Sequence, residues 1–208
     1  VRDILNYANE QGVNLLDTAK AYGTSESVLG DLILPSHNFK IVSKFPLEND
    51  GESVKSTFLK SLQILKKDSI YAYMLHNFDC FTRNPDVWSE LKSLKKSGLV
   101  GKIGSSLYHP DELKKLLNEK IELDIIQVPY NLLDQRFSFY FKELKERGIE
   151  IHTRSVFLQG LFFKPQHEMS DFFNPIQSTL KKLKAYSKKE QLSMAEVCLG
   201  FCLANPFI

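Results

Sequence analysis

Short apolar runs of strand length alternate along the chain with longer segments of helical period. Residues 14–18, 40–45, 70–76, 101–105, 123–130 and 149–155 read as strands. Between the second and third, Val54, Phe58, Leu62 and Leu65 recur at three- and four-residue spacing, which predicts a helix buried on one side. Trp88, Leu91 and Leu94, and later Phe141 and Leu144, mark two more such stripes. Pro110-Asp111-Glu112 combines the proline and the acidic first turn that open a helix. Gly98 and Gly148 stand where helices stop before the next strand. Residues 1–10 also read as a helix, with Ile4, Leu5 and Ala8 as its apolar face and Gly12 closing it.

This repeat implies an α/β protein whose parallel sheet is joined by helical crossovers. An open doubly wound sheet and a closed barrel both satisfy it. A dinucleotide site on an open sheet asks for G-x-G-x-x-G after the first strand, and that motif is absent from the sequence.

The informative pattern is where the strands stop. Leu15-Leu16 runs into Asp17, Ile41-Val42-Ser43 into Lys44, and Met74-Leu75 into His76. Ile103-Gly104 ends in Ser105-Ser106, Ile125-Ile126 reaches Gln127, and Ile151-His152-Thr153 reaches Arg154-Ser155. In a β/α barrel every strand C-terminus gathers at one face, where active sites are built. Six polar strand ends therefore point to one pocket.

Composition narrows the class further. The 208 residues suit one large domain, with 43% hydrophobic and 25% charged residues as in ordinary globular proteins. A formal charge of +2, with basic residues scattered over stretches such as 181–189, argues against nucleic acid and against a membrane surface. No apolar run approaches the ~18 residues that a membrane span needs, and no signal peptide is visible. Cys80, Cys198 and Cys202 are odd in number and lack Cys-x-x-Cys spacing, so a reducing cytoplasm, no disulfide and no metal site are expected.

Specific residues then suggest a family. Gly12-Val13-Asn14-Leu15-Leu16-Asp17-Thr18-Ala19-Lys20-Ala21-Tyr22-Gly23, followed by Ser25-Glu26 and Leu29-Gly30, resembles the aldo-keto reductase signature around its catalytic Asp and Tyr. Ile41-Val42-Ser43-Lys44 is similar to the strand bearing the family's Lys, and Tyr73-Met74-Leu75-His76 to the strand bearing its His. Gly101 to Ser106, Ile126 to Leu133 and Gly148 to Gly160 continue the match in order. The resemblance implies a parallel (β/α)8 TIM barrel. It also implies NADPH-dependent reduction of a small-molecule aldehyde or ketone by hydride transfer, with catalytic Asp17, Tyr22, Lys44 and His76.

The residue types suit that chemistry. Carbonyl reduction needs hydride at carbon and a proton at oxygen, and Tyr22 is implied as the proton donor. A free tyrosine titrates near ~10 and is a weak acid at neutral pH. A nearby ammonium favours the phenolate, which is the role implied for Lys44, with Asp17 holding Lys44 charged and in place. His76 is implied to orient the carbonyl. For the cofactor, Ser106 and Gln127 are implied to bond the nicotinamide carboxamide and Arg154 to pack over its ring. Ser155 begins the loop that runs past the pyrophosphate. The family's usual Ser-Asn pair is Ser106-Leu107 here, and leucine cannot donate to the carboxamide. Phe45, Phe78 and Tyr108 lie just beyond strand ends and read either as an apolar substrate wall or as loop packing.

A complete barrel of this kind has ~250 residues and eight strands, whereas six are read here. In the family's order, residues 1–10 follow the first strand and 194–203 lead into the last. The expectation is a single barrel domain over 1–208 that lacks its outer strands and is flanked by further residues at both ends. The segment that holds the adenosine phosphate has no assigned counterpart, so NADH stays open beside NADPH. Two other classes remain: a non-enzymatic nicotinamide-binding or regulatory barrel of the channel-subunit kind, and an inactive truncated relative. Oligomeric state is not legible in the sequence.

Overall fold

The computed structural model describes residues 1–48 and 51–208. They form two compact units, Val1–Gln127 and Val128–Ile208, whose boundary falls inside a strand. In the first unit, α1 (Arg2–Glu10) leads to β1 (Leu15–Asp17), α2 (Ser25–Leu32), β2 (Lys40–Phe45) and α3 (Val54–Leu65). β3 (Ile70–Leu75), α4 (Asp79–Arg83), α5 (Val87–Lys96), β4 (Val100–Ser106), α6 (Pro110–Asn118) and the start of β5 (Ile125–Pro129) follow. β1 to β5 pair in parallel and in chain order.

The helices form for the reasons the sequence predicts. α3 opens on Ser53, whose side chain accepts from the Ser56 amide, and it buries Val54, Phe58, Leu62 and Leu65. α5 buries Trp88, Leu91 and Leu94 and ends in Lys95 and Lys96, which suit the helix C-terminus. α6 has Pro110 in its first turn, and Glu112 folds back to accept from the amides of Tyr108 and His109. Gly12, Gly98 and Gly148 all have positive φ, as a helix stop requires. One expectation fails. Of the apolar face proposed for α1 only Leu5 is buried, and Ile4 is 71% exposed because nothing described packs on its side of the helix.

Sheet register decides which side chains share a face. Leu15 pairs with Lys40 and Asp17 with Val42, while Lys44 pairs with Met74 and Ser106 with Gln127. Strand side chains alternate, so Asp17, Val42, Lys44, Ala72, Met74, Ser106, Ile125 and Gln127 fall on one face. On it Val42, Ala72, Met74 and Ile125 form a fully buried cluster below the polar strand ends. The opposite face meets the helices, where Tyr73 packs edge-on against Phe58 of α3 at 4.7 Å.

The second unit continues β5 and adds α7 (Phe141–Glu146), β6 (Glu150–Arg154), α8 (Gln177–Lys189) and α9 (Met194–Leu203). The Tyr130 amide donates to the Arg154 carbonyl, and the Tyr130 ring stacks on Phe201 of α9. Phe162, Leu180 and Cys198 anchor its core. α8 buries only Leu180, which agrees with a solvated lysine-rich face. The three cysteines are buried free thiols. Among the described residues no helix is long and apolar enough to cross a membrane.

Candidate active site

The first unit brings five of the polar strand ends together. Asp17 closes β1, and Lys44 stands two residues beyond Val42, the register partner of Asp17, on the same face. The Lys44 side chain is fully buried, and an ammonium there needs several acceptors. It finds three. Nζ lies 2.7 and 2.6 Å from Asp17 Oδ1 and Oδ2 and 2.9 Å from the Thr18 carbonyl. Asp17 keeps 35% of its side chain exposed, so the pair has one dry end and one wet end.

Tyr22 is delivered by the turn between β1 and α2. Its amide donates to the Ala19 carbonyl and its own carbonyl accepts from Ser25, while Gly23 takes a positive φ. The Lys44 ammonium sits 5.2 Å from the centre of the Tyr22 ring. His76, just past β3, stands edge-on to that ring at 5.5 Å, and its amide is pinned by the Phe45 carbonyl. Tyr22 is 47% exposed, so the phenol is accessible from solvent while the cation beside it is not.

Gln127 joins the same group from β5. It is buried, and its Nε2 donates to Asp17 Oδ1 at 2.9 Å, leaving a second N–H and the amide oxygen for another partner. Ser106 is buried beside it on β4 as its register partner. Leu107 is fully buried, and its amide donates to the Gln127 carbonyl. The backbone thus keeps β4 and β5 paired where the side chain offers no donor.

Three aromatic residues were open between wall and packing. Phe45 and Phe78 are buried, the latter against Phe81 and beneath Lys115. Tyr108 is 47% exposed. Arg154 and Ser155 lie in the second unit at the end of β6. Arg154 Nη1 is 3.4 Å from Ser155 Oγ, and the Ser155 carbonyl accepts from Asn131. Ser155, Leu158, Gln159 and Gly160 all take positive φ, a local backbone that bends sharply within six residues.

Sequence reasoning overlooked two contacts. One is the Thr18 carbonyl as the third acceptor of Lys44; no side-chain pattern signals a backbone oxygen. The other is Glu26, 3% exposed and bonded by Ser43 Oγ at 2.6 Å and Ser61 Oγ at 3.1 Å. Its signal was present in Ser25-Glu26, but an acid in a first helical turn usually reads as a solvated residue.

Known proteins are similar to this chain in sequence and in fold. The profile of the Aldo/keto reductase family matches residues 1–207. An "Uncharacterized oxidoreductase YqkF" of Bacillus subtilis is 27% identical over 99% of this chain and 74% of its own length. An "NADH-specific methylglyoxal reductase" of Escherichia coli is 30% identical over 76% of this chain, which spans 57% of that protein. Among solved structures, the holo form of aldo-keto reductase AKR11C1 from Bacillus halodurans superposes with a TM-score of 0.78 at 25% identity. The match covers 98% of this chain and 72% of that one, and the shared fold is the α/β (β/α)8 architecture, of which the described residues form six parallel strands.

Proposed function

With residues 1–207 matched, the chain belongs to the aldo/keto reductase family, and on that premise we propose that it reduces an aldehyde or ketone to the alcohol with Tyr22 as proton donor. The observation that carries this reading is the buried Lys44 ammonium, held by Asp17 on one side and 5.2 Å from the Tyr22 ring on the other. An ammonium so placed favours the phenolate and makes the phenol a better acid near neutral pH. His76, edge-on to the ring, is positioned to hold the carbonyl oxygen as the Tyr22 proton moves to it.

A nicotinamide cofactor, when bound, supplies the hydride. Gln127 suits its carboxamide, because one N–H goes to Asp17 while the second N–H and Oε1 remain to pair with an amide. Ser106 offers a hydroxyl on the neighbouring strand end. Arg154 presents a planar guanidinium suited to stacking, and the bent backbone from Ser155 to Gly160 is the loop proposed to run past the pyrophosphate. NADPH is the proposed donor. The Escherichia coli relative is named as NADH-specific, so both dinucleotides belong in the test.

Leu107 favours one other reading, a barrel that binds nicotinamide without turning over substrate, because a carboxamide donor is lost there. Titration with NADPH and NADH followed by fluorescence, then an aldehyde and ketone panel read by cofactor oxidation, decides between them. Binding with turnover supports the reductase. Binding without turnover of any carbonyl supports the binding barrel, and absence of binding removes both.

A further inference from the structure

Glu26 has no part in the proton transfer, yet it is a carboxylate with only 3% of its surface exposed. Taking a carboxylate out of water costs several kcal/mol unless its lone pairs are met. Among the described residues its side-chain partners are two hydroxyls on two different elements, Ser43 of β2 and Ser61 of α3. The first turn of α2 adds the favourable end of a helix dipole. The fully buried Tyr73 of β3 stands close enough for the Glu26 charge to help burial push its phenol well above the usual tyrosine range.

The location of this cluster matters more than its polarity. α2 begins three residues after Tyr22, and Ser25 is tied back to Thr18 by a 2.8 Å hydroxyl–hydroxyl bond. α2 also packs against the end of α3 so closely that a Cβ on Gly30 would lie 2.1 Å from the Ile64 carbonyl oxygen. Ser43 is the residue before Lys44. Glu26 therefore bonds the element that follows Tyr22 to the strand that carries Lys44. No other hydrogen bond in this neighbourhood joins α2 directly to β2 among the described residues.

We propose that Glu26 is a positioning residue that holds the Tyr22 turn in register with Lys44, and so fixes the distance from ammonium to phenol on which the acidity of Tyr22 depends. The inference rests on the reductase reading for its consequence in turnover but not for its physical content. Among the described residues, the titratable and charged groups that face Tyr22 include Lys44 from β2, Asp17 from β1 through its bond to Lys44, and His76 after β3. Loosening the Glu26–Ser43 bond lets the turn drift from Lys44, and a phenol farther from a cation becomes a weaker acid.

The test is an ultraviolet difference titration of Tyr22, using the Tyr22→Phe protein as the spectroscopic blank, in the wild type, Glu26→Gln and Ser43→Ala backgrounds without cofactor. The Tyr22 midpoint is expected to rise by about half a pH unit or more in Ser43→Ala, which leaves every charge in place, and to rise by less in Glu26→Gln, because losing that carboxylate itself favours a phenolate. At saturating cofactor, turnover of an aldehyde should fall about tenfold, because small misplacements of reacting groups are expensive, while cofactor affinity holds within about twofold. If Glu26→Gln fails to fold, Ser43→Ala decides alone, since it leaves the carboxylate and its Ser61 bond in place. A midpoint that stays at the wild-type value in Ser43→Ala, even with a lowered melting temperature, overturns the proposal and leaves Glu26 a packing residue. A wild type that turns over no carbonyl defeats the functional reading instead, and the titration still decides Glu26.

Discussion

Gln127 Nε2 donates to Asp17 Oδ1 across 2.9 Å, joining residues 110 positions apart in the chain. The residue implied to hold the nicotinamide is thus bonded to the carboxylate that holds Lys44. Gln127→Ala should therefore do two things. Cofactor affinity falls severalfold, since a neutral hydrogen bond contributes roughly 0.5–1.5 kcal/mol net. Turnover at saturating cofactor also falls, because Asp17 loses one of the donors that orient it. Fluorescence titration reads the first and steady-state assay the second; an unchanged affinity would break the nicotinamide assignment.

Tyr22→Phe should remove most carbonyl reduction while leaving cofactor binding intact. In the proposed reaction the hydroxyl supplies the proton, and general acid catalysis is typically worth ~10²–10⁴ in rate. The ring itself, which packs edge-on to His76 and beside Lys44, is preserved by phenylalanine, so the site should keep its shape. A variant with more than about half the wild-type turnover at saturating substrate would take Tyr22 out of the mechanism.

Most of the candidate site is legible in the sequence because it lies at strand ends. The short apolar runs of β2, β3 and β5 locate Lys44, His76 and Gln127 within a residue of where the structure puts them. β1 is shorter than read, three residues instead of five, since Asn14 and Thr18 only flank the ladder. α2 was not read as a helix. Its stripe is interrupted by Gly30, whose role is close approach to α3, and by Glu26, whose burial contradicts its polarity. Hydrophobic periodicity cannot register a helix docked through a buried carboxylate and a missing Cβ. The same limit hid the Thr18 carbonyl and the Gln127–Asp17 bond, both set by register between strands. Ile4 shows the converse error, an apolar residue at the right spacing with no surface to cover it.

Cys80 tests how dry the packing around the ends of β2 and β3 is. Its thiol is buried, chiefly so that burial pushes its pKa up, and Sγ lies 3.8 Å from the Phe45 carbonyl. A thiol that resists ionisation is a poor nucleophile. Iodoacetamide at neutral pH should label Cys80 only as fast as the protein opens. Labelling at the rate of the urea-unfolded chain would show that the β2 and β3 ends are far more open than described.

Gly30→Ala should destabilise the first unit. The added methyl would meet the Ile64 carbonyl at 2.1 Å and the Leu65 backbone at 3.1 Å, and these are backbone atoms that cannot swing aside. Forced repacking of this kind costs about 1–3 kcal/mol, which is several degrees in melting temperature for a chain of this size. Because α2 leads from Tyr22, the variant should also lose turnover at temperatures where it remains folded. A melting temperature equal to that of the wild type would refute the close approach of α2 to α3.

The Lys44–Asp17 pair makes an asymmetric prediction. Lys44 is inaccessible, whereas Asp17 keeps 35% of its side chain in water and a further hydrogen bond from Gln127. Asp17→Asn strands a buried ammonium with one neutral oxygen and the Thr18 carbonyl, a loss of the kind that costs about 3 kcal/mol or more. Lys44→Met removes the cation but fills the space of its stem, and the remaining carboxylate can turn toward solvent, so the cost should be nearer 1–2 kcal/mol, roughly. The double variant carries neither stranded charge and should be more stable than Asp17→Asn alone. Both single variants should lose catalysis, since one removes the ammonium and the other its orientation. Urea unfolding of the three variants gives the order directly. Should Lys44→Met prove the less stable single variant, the charge at this site is better compensated on the lysine side than the geometry allows, and the assignment of Asp17 as the residue that keeps Lys44 charged would fail.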